Sequence, residues 1–407
     1  MKDRREFLKS IAALGGGIAL SAPGKAAETS AAASELPAGT IASALLDSLP
    51  GKRPLIKRSF RPPNYETPLA YFNEMFTPND VFFVRYHLPN IPEVKLDAWK
   101  LTLGGEGAER AFEVGLDELK NGFEQVEIPA LCLCSGNRRG LFQPHVAGIE
   151  WGYGAMGNAR WKGVRLKDVL AKAGVKKETL EIAFDGADGP ALENSADFRK
   201  SLPLWKAMDE NTLLAYEMNG APLPHWNGFP LRLVVPGWTA TYWMKHLTSV
   251  SLITKPLENF WMKPGYRIPK GKFPIIDRFV SQETESNTPI TEMVVNSLIT
   301  NLEEGQRFST GQDIEVRGIA WDGGYGIAQV EMSVDNGASW RAAQLGRDHG
   351  RFSWQQFAYR FTPAQPGRHS LLARASNRVG ATQTYAVIAN PAGYHHNLVQ
   401  KIGIEVV

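Results

Sequence analysis

Between residues 313 and 345 the chain reads DIEVRGIAWDGGYGIAQVEMSVDNGASWRAAQL, with apolar and polar residues alternating along much of it. A period of two gives a strand one apolar face, so this stretch is constrained to pair into sheets. Asp335, Asn336 and Gly337 supply the turn chemistry expected between paired strands. RHSLLARASNRVG, residues 368–380, continues the pattern. Short strands at near-regular spacing predict a β-sandwich of immunoglobulin type, without the Cys-Trp-Cys core of antibody domains.

Upstream the texture differs. Residues 69–255 mix strand-like runs (VFFVRYHL, LEIAFDG, PLRLVVPGW) with helical ones (GVRLKDVLAKAG, LPLWKAMDE). In the first of these helical runs Val164, Leu166, Val169 and Leu170 recur at helical spacing, predicting a helix over 163–174 that stops at Gly174. The expected fold class is α+β with a mixed sheet, followed by the sandwich. No G-x-G-x-x-G follows a strand, which leaves a dinucleotide-binding fold without support. LPGKRPLIKRSFRPPNYETPL, residues 49–69, carries too much proline to predict regular structure. The Pro/Lys-rich KPGYRIPKGKFPII (263–276) marks the best boundary, giving expected domains of 34–280 and 281–407. The 407 residues suit two or three domains, and 43% hydrophobic with 21% charged residues describes an ordinary globular chain.

Residues 1–33 have their own logic. Arg4 and Arg5, then Phe7-Leu8-Lys9 and a glycine-diluted apolar run, resemble a twin-arginine export signal, with small residues between Ala22 and Ala33 offering cleavage points. The apolar run is far shorter than the ~20 residues that span a bilayer, so no membrane span is expected. Export into the bacterial periplasm, folded and with a cofactor already in place, is the expectation. Residues 1–27 alone carry a net +3, equal to the formal charge of the whole chain, so the body is near neutral and a nucleic-acid partner gains no support.

Both cysteines lie in IPALCLCSGNRRGL, residues 128–141. A disulfide between Cys132 and Cys134 would be badly strained, and two cysteines alone cannot close a zinc site. EIPALCLC reads as a buried strand, with a turn beginning at Ser135-Gly136-Asn137. Cys134 therefore falls at a strand end, where a side chain can face a pocket, whereas Cys132 sits deeper as core. Arg138 and Arg139, four and five residues on, are cations able to favour a thiolate. A buried pair, a nucleophile and a single-thiolate ligand to a group the chain does not encode all remain open on these residues alone. Arg85, inside the apolar run FFVRYH, needs a buried partner. His395 and His396 in GYHHN read as a polar loop, because neighbouring side chains in a strand point apart.

CSGNRRG, together with FTPNDVFFVRYHLP (76–89), GIEWGYGAMGNARWKGVRLKDVL (148–170) and NGFPLRLVVPGW (227–238), resembles the sulfite oxidase family of molybdenum enzymes, and within it the bacterial periplasmic sulfite dehydrogenases. The resemblance runs from about residue 60 to the end of the chain. It implies a sulfite-oxidase-type molybdopterin domain and an immunoglobulin-like dimerisation domain. It makes Cys134 the single protein ligand to molybdenum, the other donors coming from one pyranopterin dithiolene and oxo groups. Such a soft thiolate suits a metal–sulfur centre.

The same resemblance implies Arg85 and Arg139 as guanidinium forks for a small oxyanion, with Trp151 and Tyr266 at the substrate. It implies cofactor contacts at His87, Asp188, Asn227, Arg232, Trp243, Met244 and Lys245. Asn227 stands where the animal enzymes have histidine, with His225 two residues away as a substitute. Trp243 and Met244 also differ from the animal residues, which favours backbone contacts there. Lys401 is the nearest cation to a C-terminal one in the family, with a poor local match.

The reaction implied is oxidation of sulfite to sulfate, with two electrons and two protons released. The chain has no C-x-x-C-H, so no haem c attaches to it and the electrons are expected to pass to a separate periplasmic cytochrome c or haem c subunit. A homodimer or a heterodimer is expected. Two alternatives share the cofactor: a sulfur dehydrogenase subunit of a thiosulfate-oxidising system, and a periplasmic methionine sulfoxide reductase, which lacks the second domain. A third, from another class, is a non-enzymatic binding protein.

Overall fold

In the computed structural model, residues 46–190 and 192–407 are described. The expected export leader and the first residues of the expected 34–280 domain lie outside them. Strands dominate, and the described residues contain three short α-helices, so the helical share is smaller than the sequence predicts.

The strand Gln125–Leu133 carries the cysteines and pairs antiparallel with Met156–Arg165, placing Cys132 opposite Gly157. Met156–Arg165 pairs in turn with Leu213–Met218. A second sheet of five strands includes the parallel pair Leu247–Ile253 and Leu101–Gly104, which makes it mixed, as expected. The strands of this half enclose one apolar core that includes Trp161, Trp238 and Trp243.

Local expectations fail where tertiary pairing outbids propensity. The predicted helix 163–174 begins only at Leu166, because residues up to Arg165 hydrogen-bond across two sheet neighbours. It ends as predicted, with Gly174 at φ 72°, a left-handed stop that glycine adopts without a Cβ clash. The expected helix in LPLWKAMDE shrinks to Leu204–Ala207. VFFVRYHL contributes only Val84–Arg85 to a strand. The proline-rich approach does form strands, Leu55–Ser59 and Asn64–Glu66, with Pro62 and Pro63 confined to the turn between them.

In the C-terminal part, Asn296–Ile299, Ile314–Trp321, Gln344–Leu345 and Gln355–Phe361 form one sheet. Gln306–Phe308, Gln400–Val406, Gly367–Asn377, Ile327–Ser333 and Arg341–Ala342 form another. Both sheets contribute to a single apolar core, including Val316 and Phe357 from one and Val330, Leu371 and Ile404 from the other. Asn336 and Gly337 take positive φ in the turn after Ile327–Ser333, as their residue types anticipate. Tyr394, by contrast, packs into the N-terminal core. Among the described residues no helix is long and apolar enough to cross a membrane.

Candidate functional site

Gln125–Leu133 ends one residue before Cys134, and the chain turns at once, with Asn137 N–H donating to the Cys134 carbonyl at 3.0 Å. Arg138 adopts a left-handed backbone (φ 68°), and this parts the two arginines. Arg138 turns into the C-terminal half, donating to the carbonyls of Ser297 (2.7 Å) and Leu398 (3.3 Å). Arg139 turns into a cavity. There its Nε donates to Ala392 O at 2.8 Å and its Nη1 to Ile149 O at 3.2 Å. Gly136 and Gly148 leave the space the guanidinium occupies; a Cβ on either would overlap it.

Two cavities meet at Cys134. The inner one, ≈ 650 Å³, is lined by both cysteines, Ser135, Asp188, Asn227, Arg232, Thr241, Trp243, Met244 and Lys245. The outer one, ≈ 930 Å³, is lined by Asn64, Gly136, Arg139, Trp261 and Tyr394, among others. Arg85, His87, Cys134 and Tyr266 line both.

Arg85 finds its buried partner in Asn64, donating to Oδ1 at 3.2 Å, and also donates to Tyr86 O. His87 Nε2 hydrogen-bonds the Tyr266 hydroxyl, and its ring stacks on Phe198 at 3.6 Å between centroids. Burial, then the charges of Arg85, Lys245 and Lys200, hold His87 well below the usual imidazole range, so it is neutral. Burial raises Tyr266, leaving its phenol protonated.

In the inner cavity, burial pushes Lys245 well down, with Asp188 opposing, and burial raises Asp188 to about 6. Arg232, also lowered by burial, donates to Asn227 O (2.9 Å) and Trp243 O (3.2 Å). Trp243 donates its own Nε1 to Val235 O and Trp238 O, so its side chain is committed to the core. Burial lifts the Cys132 thiol to about 11, which fits a core residue.

The inner cavity has the chemistry of a receptor for a large anionic group. Ser135 Oγ, Arg232 Nε and Thr241 Oγ1 are buried there without a hydrogen-bond partner among the described residues. Buried polar atoms are normally satisfied, so these call for a ligand rich in acceptors. Arg232 and Lys245 also bring N–H donors to the cavity wall, and a bound anion would favour the protonated form of Lys245 that burial alone disfavours. Among the described residues no group of three or more His, Cys, Asp or Glu converges, and a metal at Cys134 would draw its other donors from a cofactor.

Trp151 departs from its expected place. Its indole is fully buried in the main core and lines neither cavity, with Nε1 lacking a hydrogen-bond partner among the described residues. His225 lines neither cavity, lying against Trp226 and His246. Lys401 is exposed on Gln400–Val406 and reaches neither cavity. His395 and His396 do not form an exposed polar loop: both are buried, and burial lowers them to about 3 and about 4.

Sequence reasoning missed Lys52, Asn64, Lys200 and Tyr394. Lys52 is buried with its Nζ on Asn227 Oδ1, Asn79 O and Phe82 O. Lys200 is buried with its Nζ 5.1 Å from the Tyr266 ring centre. A lysine in a strand or loop carries no local mark of such a role.

The oxidoreductase molybdopterin binding domain model matches residues 87–261, and the Mo-co oxidoreductase dimerisation domain model matches 287–407. Mitochondrial sulfite oxidase of Macaca fascicularis is 37% identical over 311 residues, covering 74% of this chain and 55% of the macaque protein. The chain thus spans little more than half the length of that relative. Sulfite oxidase of Arabidopsis thaliana is 32% identical over 319 residues, covering 74% of this chain and 79% of the plant protein. The sulfane dehydrogenase SoxCD from Paracoccus pantotrophus shares the fold, with a TM-score of 0.73 at 23% identity over 88% of each chain.

Proposed function

We propose that this chain, which belongs to the sulfite oxidase family of molybdopterin oxidoreductases, is the catalytic subunit of a periplasmic sulfite dehydrogenase. Sulfite and water give sulfate, two protons and two electrons. The observation that carries this reading is the meeting of an anion-receptive inner cavity and an arginine-lined outer one at Cys134. A pyranopterin in the inner cavity, held by Arg232, Lys245, Ser135 and Thr241, would with Cys134 secure molybdenum, which supplies the two-electron oxygen-transfer chemistry.

The protein's own groups do the rest. Arg139 presents a fixed guanidinium to the anion, and Arg85 a second, in the preorganised electrostatic role that favours developing charge. Neutral His87 orients the protonated Tyr266 hydroxyl at the junction of the cavities, where it can give or take a proton. Aromatic walls, buried Phe198 and partly buried Trp261, limit water around the reacting anion.

Electrons leave, in this reading, to a separate cytochrome c or haem c subunit. Export follows the twin-arginine route, the 281–407 sandwich is immunoglobulin-like, and it mediates a dimer. The test is molybdenum and pterin content together with sulfite-dependent cytochrome c reduction by the exported protein. Stoichiometric metal and turnover support the reading, and a metal-replete protein inert to sulfite but active on a sulfane-sulfur substrate would replace it with the sulfur dehydrogenase alternative.

A further inference from the structure

Tyr394 is the one large side chain that the C-terminal segment places in the outer cavity wall beside Arg139. Its backbone is clamped at both ends by Asn390, whose Oδ1 accepts from Tyr394 N–H (2.9 Å) and whose Nδ2 donates to Tyr394 O (2.9 Å). Gly393, at φ 59°, turns the chain immediately before it. The ring stacks on Tyr266 at 5.6 Å between centroids and 7° between planes. The Arg139 guanidinium carbon sits 5.2 Å from the centre of the Tyr394 ring.

Arg139 is consequently held by two carbonyls, of Ala392 and Ile149, and by an aromatic ring. Its remaining amino group, Nη2, has no hydrogen-bond partner among the described residues. The Tyr394 hydroxyl also lacks a partner among them. Burial pushes that phenol well above the usual tyrosine range, so it is a proton donor throughout the working range. A donor clamped beside a guanidinium in a cavity suits an oxyanion with several acceptor oxygens.

We propose that Tyr394 is a substrate-binding and specificity-determining residue that seats Arg139 with its ring and donates its hydroxyl to an oxygen of the sulfur oxyanion. The proposal rests on the sulfite reading above. It makes the C-terminal segment part of the active site. It also predicts discrimination against sulfur compounds without an oxygen at that point, since the donor would then be left unpaired.

The experiment compares holoenzyme Tyr394→Phe and Tyr394→Ala with wild type in KM and kcat for sulfite. Sulfate affinity by titration calorimetry is measured on the same proteins, with melting temperature and molybdenum content as controls. Tyr394→Phe keeps the ring, so it should raise KM and weaken sulfate binding about tenfold with kcat nearly unchanged, the scale of one hydrogen bond to a charged group. Tyr394→Ala should lose roughly a further tenfold in both, because Arg139 loses its seat. A Phe variant with wild-type KM and sulfate affinity overturns the hydroxyl's role, and an Ala variant equal to the Phe variant overturns the seating of Arg139. Should the Ala variant fail to fold, Tyr394→Leu, which removes the aromatic face and keeps most of the volume, replaces it: losses beyond those of the Phe variant support the seating and losses equal to them overturn it. Wild type that binds sulfate without oxidising sulfite defeats the parent reading alone; wild type that binds no sulfate defeats the proposal.

Discussion

The Lys52 ammonium donates to Asn227 Oδ1 at 2.6 Å across 175 residues of sequence, and this bond decides what Asn227 can do. With Oδ1 taken by Lys52 and Nδ2 donating to Phe83 O at 3.1 Å, the amide is fixed as part of the cavity wall. Asn227 is thus braced by Lys52, a residue that lies outside the matched molybdopterin domain.

Burial lowers Lys52 to about 7 from the usual 10.5. Between those values the unfolded chain binds a proton that the folded chain has released, so Lys52 makes stability rise with pH from about 7 to about 10.5, and the cost of burying its charge is full below 7. Melting temperatures across that window should show the rise in wild type and its loss in Lys52→Met. Equal slopes in the two proteins would contradict this.

The two cysteines should separate cleanly. Cys134→Ser is expected to lower molybdenum content and reduce sulfite turnover by at least ~10²-fold, since even outer partners of metal ligands cost that much. Cys132→Ala should retain metal and activity and lose about 1–2 kcal/mol of stability for the small cavity it leaves. Metal analysis and steady-state assays on both variants check this.

The adjacent arginines should part in the same way. Arg138→Met removes the donor from the carbonyls of Ser297 and Leu398 and should cost about 2–4 kcal/mol of stability with KM unchanged. Arg139→Lys should leave the melting temperature within a degree or two and raise KM for sulfite by roughly 10- to 100-fold, because a point charge cannot reproduce the fork. Denaturant titration and kinetics together distinguish the outcomes.

Tyr266→Phe removes the hydroxyl that His87 orients. A fall in kcat of about 10²-fold or more is expected, the scale of a lost proton-transfer group. His87→Phe should share most of that loss, as the two act as one unit. An additive double mutant would separate them.

Arg4→Lys with Arg5→Lys should hold the protein in the cytoplasm, read by cell fractionation. Export of the double variant would remove the twin-arginine reading, and wild type found in the cytoplasmic fraction would remove the periplasmic one.

Much here was legible from residue order alone. Alternation at 313–345 dictated paired strands, Gly174 stopped a helix, and the run EIPALCLC followed by Ser135-Gly136 put Cys134 at a strand end. These are local matters of period and backbone freedom. Resemblance then named Arg85, Arg139, His87, Tyr266 and the cofactor contacts, all of which line a cavity, while Trp151 does not.

What the chain order could not reveal was which distant groups converge. Residues 163–165 joined a strand because Leu213–Met218 and Gln125–Leu133 lay on either side with open hydrogen bonds. Lys52 reached Asn227, and Tyr394 reached Arg139, across separations that no local pattern encodes. A side chain's role at such a place is set by desolvation and by the partners that packing delivers. Those exist only once the tertiary structure has closed.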